Sequence, residues 1–158
     1  MNRRTAADSR VTLTQLMGPG SGNTLGNVHG GFIMKLCDEA GGMAASKYAR
    51  RPAVTVAVDS MTFLSPVHIG DLVTVAAEVS WTGRTSMETR VVVTAENVIL
   101  GKIVHTNTAY FVYVALDDQG KATPVPPLLC ESEEEKSRFV RAAERQARRL
   151  KSRQEASR

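Results

Sequence analysis

Apolar and polar positions alternate through much of this 158-residue chain. Strict alternation over four or more residues is typical of a half-buried strand, and it predicts strands over residues 71–81, 85–96 and 102–116. Two further segments rich in β-forming residues, 10–17 and 54–64, are also predicted as strands. Short runs of turn-forming residues separate the later strands, which favours an antiparallel meander.

One segment, residues 29–49, has the periodicity of a helix instead. Its apolar residues recur at the spacing of a single helical face: Ile33, Leu36, Cys37, Ala40 and Ala44. Asn27 is predicted to cap the helix, because its side chain can accept from the free amides of the first turn, and Pro52 ends it. Gly41 and Gly42 each cost about 1 kcal/mol inside a helix relative to Ala. Their presence predicts that a neighbouring group approaches this face closely.

The order of elements predicts an α+β fold. A single long helix can cover only one face of a sheet this large, so we expect an antiparallel sheet wrapped around a central helix. This domain is predicted to span residues 1–130. Residues 131–158 are rich in helix formers, begin acidic and become basic, as suits a helix dipole. We expect this C-terminal tail to be a solvated helix or to dock on a neighbouring subunit.

The charge distribution argues against nucleic-acid binding, although the net charge is +4 and the pI about 9.3. Residues 131–158 carry nine Lys/Arg and six Asp/Glu, whereas residues 1–130 carry eleven and ten. The basic character therefore lies mostly in the tail. No apolar run approaches the roughly 18 residues of a membrane span, and the first residues lack the apolar core of a secretory signal. Two cysteines without framework spacing favour a cytoplasmic location.

Candidate chemistry is concentrated at the predicted helix. His29, Gly30 and Gly31 stand at its N-terminus, where free amides and the positive end of the helix dipole face outward. Such amides can stabilise an oxyanion by about 3 kcal/mol per donor. Asp38 is offset by about 140° from Ile33, so it faces away from the core stripe. The three histidines and two cysteines show no metal-ligand spacing.

Three segments resemble a known family when taken in order: GNVHGGFIMKLCDEAGGMAA, VTVAVDSMTFLSPVHIGD and GRTSM. They resemble the hotdog-fold acyl-CoA thioesterases, specifically the branch with the broad-range bacterial and cytosolic brain-type hydrolases, over about residues 11–127. This resemblance implies a wrapped sheet around one helix and a dimer as the minimum active unit. It also implies a homo-oligomer, with assembly of dimers into a hexamer as a trimer of dimers. The sequence departs from the family upstream, where residues 18–22 read GPGSG.

The resemblance also implies roles for individual residues. Asp38 matches the catalytic carboxylate, acting as general base or nucleophile, and Asn27 matches an asparagine contributed by the opposite protomer. Gly30 and Gly31 would polarise the thioester carbonyl. Contacts to coenzyme A fall on five further residues: Val58, Ser60, Arg84, Thr85 and Ser86.

The implied reaction is hydrolysis of fatty acyl-CoA to free acid and CoA, with no metal and no cofactor. Two alternatives remain open: a non-catalytic acyl-CoA-binding sensor, and another hotdog thioester enzyme such as a dehydratase. The sequence lacks a matching Asp-His hydratase motif, and a sensor would not need both Asp38 and Asn27. Asn27 as a plain helix cap is an equally good interpretation, and His29 more naturally shapes the turn than acts as a base.

Overall fold

A five-stranded antiparallel sheet forms the body of the computed structural model, which describes residues 1–158. Its strands are Val11–Leu16 (β2), Ala53–Val58 (β3), Leu72–Thr82 (β4), Ser86–Asn97 (β5) and Lys102–Ala115 (β6). They lie in the order β2-β4-β5-β6-β3, so β2 and β3 are the edges. Two short strands, β1 (Arg4–Thr5) and β7 (Leu128–Leu129), form a separate parallel pair that the sequence analysis missed.

Helix α1, Gly30–Ala49, packs against one face of this sheet. All five residues of the predicted apolar stripe are buried in the core. They meet the alternating inward residues of the central strands, including Val75, Val91 and Val93, each fully buried. The predicted α+β architecture, with a sheet around one long helix, is therefore confirmed.

The start of α1 differs from the prediction in one respect. His29, not Asn27, occupies the N-cap position, and no side chain caps the helix. Asn27 lies two residues earlier, where its backbone forms a β-bridge with His68. The cap prediction for Asn27 was wrong because Val28 is held by a backbone hydrogen bond to Val67, which delays the helical turn.

Strand β3 is shorter than the predicted segment 54–64. Its last ladder pair joins Val58 to Phe111, and just beyond it the Asp59 amide donates to the Tyr110 carbonyl at 2.9 Å. The Asp59 carboxylate then accepts a hydrogen bond from the Ser60 amide at 3.0 Å, which turns the backbone out of register. The chain rejoins β6 only where the Leu64 amide bonds to Thr106. Residues 59–64 are therefore an irregular segment that follows the sheet.

Helix α2, Glu133–Ala156, confirms the predicted helical tail and packs on the other face of the sheet. The prediction of a solvated helix holds for most of its length, but part of α2 packs on the chain's own sheet, which the sequence analysis did not predict. Phe139 contacts Trp81 with ring centroids 6.4 Å apart, and Ala142 is fully buried. A bulge between Val79 and Trp81 turns the Trp81 side chain towards α2.

Candidate active site

Asp38 lies in the middle of α1, half-buried, with one carboxylate oxygen held by two hydroxyls. Thr55 Oγ1 on β3 donates to Asp38 Oδ1 at 2.7 Å, and the Tyr113 hydroxyl on β6 donates to the same oxygen at 2.9 Å. No group of this chain donates to Asp38 Oδ2. The carboxylate is thus anchored through one oxygen and free to react through the other.

An open pocket of about 590 Å³ lies beside this carboxylate. Its walls come from α1, β3 and β6: Asp38, Glu39, Gly42, Met43, Ser46, Ala53, Thr55 and Tyr113. Because β3 is an edge strand, the pocket lies at the margin of the sheet. A second chain placed along this edge would form the missing wall.

Gly41 and Gly42 are explained by the tyrosine beneath them. A Cβ at Gly41 would lie 2.6 Å from the Tyr113 hydroxyl oxygen and 2.7 Å from Thr89 Oγ1. Contacts that short do not occur, so the predicted close approach to this helix face is confirmed. The group that makes this approach is the one that bonds Asp38.

The hydroxyl of Tyr113 is a neutral donor. Burial and the nearby Asp38 carboxylate raise its pKa well above its usual range. Ionisation would place two negative charges side by side in a desolvated site. Tyr113 is therefore protonated at neutral pH, where its hydroxyl donates to Asp38.

Gly30 and Gly31 begin α1 and are exposed. Neither amide makes a backbone hydrogen bond outside the helix, and the first helical turn offers them no acceptor. The amides at the positive end of the helix are thus exposed to solvent. With a rise of 1.5 Å per residue, Asp38 lies about 12 Å further along the same helix. A single chain therefore does not bring Asp38 to its own Gly30 and Gly31.

The loop before α1 is organised by Asn23, which the sequence analysis passed over. Asn23 Oδ1 accepts from the amides of Leu25 at 2.9 Å and Asn27 at 3.2 Å. The Asn23 amide donates to the Asn27 carbonyl at 2.6 Å. This is an Asx-type turn, and a signal existed in the run Gly-Asn-Thr-Leu-Gly. Asn27 lies in the same loop, but its side chain makes no hydrogen bond within the chain.

The residues predicted to contact coenzyme A fall into two groups. Val58 ends β3, with Ser60 exposed just after it. Arg84 and Thr85 lie in the turn between β4 and β5, and Ser86 begins β5. The Arg84 carbonyl accepts from the Val125 amide and the Thr85 carbonyl from the Ala115 amide. Ser86 pairs with Val114 on β6, and Val114 pairs with Val54 on β3. Val54 lies four residues, or about 13 Å, along β3 from Val58. Within one chain, the Arg84–Ser86 group therefore lies apart from Val58 and Ser60.

Comparison with known proteins places this fold in a family. Residues 25–102 match the family described as the thioesterase superfamily. The chain belongs to this superfamily and has the hotdog fold predicted from its motifs. The chain contains no cluster of three or more His, Cys, Asp or Glu side chains that could hold a metal ion, and neither helix is long and apolar enough to cross a lipid bilayer.

Individual relatives agree with the family assignment. The chain is 37% identical over 137 residues to the cytosolic acyl coenzyme A thioester hydrolase of Rattus norvegicus, covering 85% of this chain and 36% of the rat protein. It thus spans about a third of that relative's length. An apo-hexameric acyl-CoA thioesterase superposes with a TM-score of 0.91 at 34% identity, covering 96% of this chain and 97% of the other.

A third relative has been solved with ligands and as variants. The Staphylococcus aureus acyl-CoA hydrolase, in complex with butyryl coenzyme A, coenzyme A and coenzyme A disulfide, superposes with a TM-score of 0.87 at 31% identity. The alignment covers 98% of this chain and 97% of that one. Other structures of that enzyme carry an alanine in place of one aspartate, one asparagine or one threonine.

Proposed function

We propose that this protein is an acyl-CoA thioesterase that hydrolyses the thioester of fatty acyl-CoA to the free acid and CoA. The observation that carries the proposal is the Asp38 carboxylate, anchored through Oδ1 and open through Oδ2 beside a pocket at the sheet margin. A half-buried carboxylate with one oxygen that accepts no hydrogen bond can act as a general base or as a nucleophile. The names of the rat and bacterial relatives support the same activity.

The reaction requires a partner subunit. Asp38 and the amides of Gly30 and Gly31 are about 12 Å apart within one helix, too far to act on one carbonyl. In a two-fold dimer, each Asp38 would face the helix start of the other protomer. The free edge of β3 supports such pairing, because Val54, Val56 and Val58 leave it 44%, 55% and 43% exposed. We propose a dimer as the active unit, assembled further into a hexamer like those of the relatives.

The proposed mechanism uses only groups of the chain and water. The thioester carbonyl accepts hydrogen bonds from the Gly30 and Gly31 amides of one protomer. Asp38 of the other takes a proton from water as the water oxygen attacks the carbonyl carbon. The tetrahedral intermediate then expels the CoA thiolate, which takes up the proton. In the nucleophilic variant, Asp38 Oδ2 attacks first, CoA leaves, and water hydrolyses the resulting anhydride.

The second polar side chain at the site is better assigned to Asn23 than to Asn27. In the Staphylococcus aureus enzyme, the substituted asparagine precedes the substituted aspartate by 15 positions and the threonine follows it by 17. Asn23 and Thr55 stand at those spacings from Asp38, whereas Asn27 precedes it by only 11. We propose that Asn23 orients the water or the carbonyl, and that Asn27 supports the loop through its backbone.

Coenzyme A contacts remain assigned to Val58, Ser60, Arg84, Thr85 and Ser86. The separation of the two groups within one chain suits an extended ligand that spans subunits. We also propose a cytoplasmic location, supported by the cytosolic rat relative and by the free thiols of Cys37 and Cys130. Residues 1–130 are proposed as the hydrolase domain and residues 131–158 as its appended tail.

Thiol release tests the proposed function. The purified oligomer is mixed with acyl-CoAs of several chain lengths and a chromogenic thiol reagent. We expect turnover by the wild type and a loss of about 10² to 10⁴ in kcat for Asp38→Ala, with CoA binding retained in calorimetry. Asn23→Ala should lose far more activity than its matched control, Asn27→Ala. Tight binding of acyl-CoA without thiol release, or near-normal turnover by Asp38→Ala, would overturn the proposal.

A further inference from the structure

A buried tyrosine hydroxyl forms the floor beneath the Asp38 carboxylate. Tyr113 is 1% exposed, and its hydroxyl lies 2.9 Å from both the Oδ1 atom and the main-chain carbonyl oxygen of Asp38. A phenol has one proton to donate. Since both acceptors belong to Asp38, the tyrosine donates its hydrogen bond to this residue whichever acceptor it favours.

The surroundings leave the tyrosine no other partner of comparable strength. Thr55 Oγ1 is committed to the same Oδ1 atom, and Thr89 Oγ1, fully buried, has no hydrogen-bond partner. The titratable groups facing the carboxylate are Glu39 and Cys37 on its own helix and Tyr113 on β6. Strands β3 and β5 contribute only neutral hydroxyls.

We propose that Tyr113 is a positioning residue that assigns different tasks to the two oxygens of Asp38. Tyr113 and Thr55 together hold Oδ1, so that Oδ2 is the oxygen that takes the proton or attacks the thioester. The catalytic part of this inference rests on the proposed thioesterase function; the positioning part does not. Gly41 is part of the same arrangement, because only a glycine at this position leaves room for the Tyr113 hydroxyl beneath the helix.

Removing the hydroxyl takes away one of the two donors that hold Oδ1. The freed carboxylate then samples rotamers that turn Oδ2 away from the pocket, which lowers kcat and leaves substrate binding largely unchanged.

Tyr113→Phe tests the proposal, with Tyr48→Phe as its matched control. Tyr48, near the end of α1, is also fully buried, but its hydroxyl donates to the Pro126 carbonyl at 3.0 Å. The Asp38 carboxyl carbon is followed by 13C NMR at neutral pH, its signal assigned with Asp38→Asn. In Tyr113→Phe we expect this signal to shift, because Oδ1 loses the hydrogen bond from the tyrosine. The kinetic constants should separate, with kcat falling roughly tenfold at constant KM.

Tyr48→Phe should move none of these quantities. An Asp38 carboxyl signal that is the same in wild type and Tyr113→Phe, or that moves equally in Tyr48→Phe, overturns the proposal. A ring-fluorinated tyrosine placed at position 113 keeps the shape and donates more strongly, so it should move the signal in the direction opposite to Tyr113→Phe; a shift in the same direction contradicts the inference. If the wild type has no thioesterase activity, the catalytic part falls, while the NMR comparison still decides the positioning part.

Discussion

Glu88 secures the C-terminal helix to the sheet, and its contacts allow the effect of neutralising it to be worked out. It lies on β5 facing α2, with 0% of its surface exposed. Its carboxylate accepts from Arg145 Nε at 3.0 Å and Nη2 at 2.7 Å, from Arg149 Nη2 at 3.3 Å and from Ser80 Oγ at 3.0 Å. Arg145 also stacks over the Tyr110 ring at 3.7 Å.

Glu88→Gln leaves two largely buried guanidinium groups without their main counter-charge. Breaking a buried ion pair from one side costs about 3 to 5 kcal/mol. The lower value applies here, because Asp59 remains 3.7 to 3.9 Å from both arginines. A loss of about 3 kcal/mol corresponds to a fall in Tm of roughly 6 to 12 °C if α2 and the sheet unfold together.

Hydrogen exchange distinguishes undocking of α2 from global unfolding. If α2 detaches first, its amides should exchange on the order of a hundredfold faster, while β4 and β5 stay protected. Glu144→Gln is the matched control, since Glu144 is exposed on the same helix and makes no ion pair. Wild-type exchange and Tm in Glu88→Gln would refute the assignment of α2 docking to this carboxylate.

Two further results are expected. Gly41→Ala places a Cβ 2.6 Å from the Tyr113 hydroxyl, so it should lower the free energy of unfolding by about 1 to 3 kcal/mol. Gly42→Ala has its nearest contact at 3.4 Å, so it should be neutral or raise that free energy by up to about 1 kcal/mol. Thermal unfolding of the two variants measures the difference. Burial raises the pKa of the Cys37 thiol to about 12, so this thiol is protonated at neutral pH. An alkylating reagent should modify the partly exposed Cys130 first and Cys37 only on unfolding, as mass spectrometry will show. Equal rates of alkylation at the two cysteines would contradict this packing.

Periodicity predicted the helix and its buried stripe, because the face that α1 buries is determined by the spacing of apolar residues along the helix itself. The same spacing placed Asp38 off that stripe, where the structure has it. Thr55 and Tyr113 were missed because they lie 17 and 75 positions from Asp38. Which strands pass beside the middle of α1 depends on the order β5-β6-β3, and alternation within a strand carries no information about strand order.

The docking of α2 was missed for a different reason. Hydrophobic patterning marks apolar contacts, and α2 has few: Phe139 and Ala142 are its main ones. Much of the contact is ionic, between Glu88 on a strand and arginines on the helix. Glutamate and arginine are usually exposed, so their sequence pattern resembles that of a solvated surface.

Subunit complementation tests the central claim, that Asp38 of one protomer works with the helix start of another. Asp38→Ala and Asn23→Ala chains, each inactive alone, are unfolded together and refolded as a mixture. Random pairing makes half of the dimers mixed, each with one intact site, so the mixture should recover about a quarter of wild-type activity. A mixture no more active than its two components would contradict a site shared between subunits.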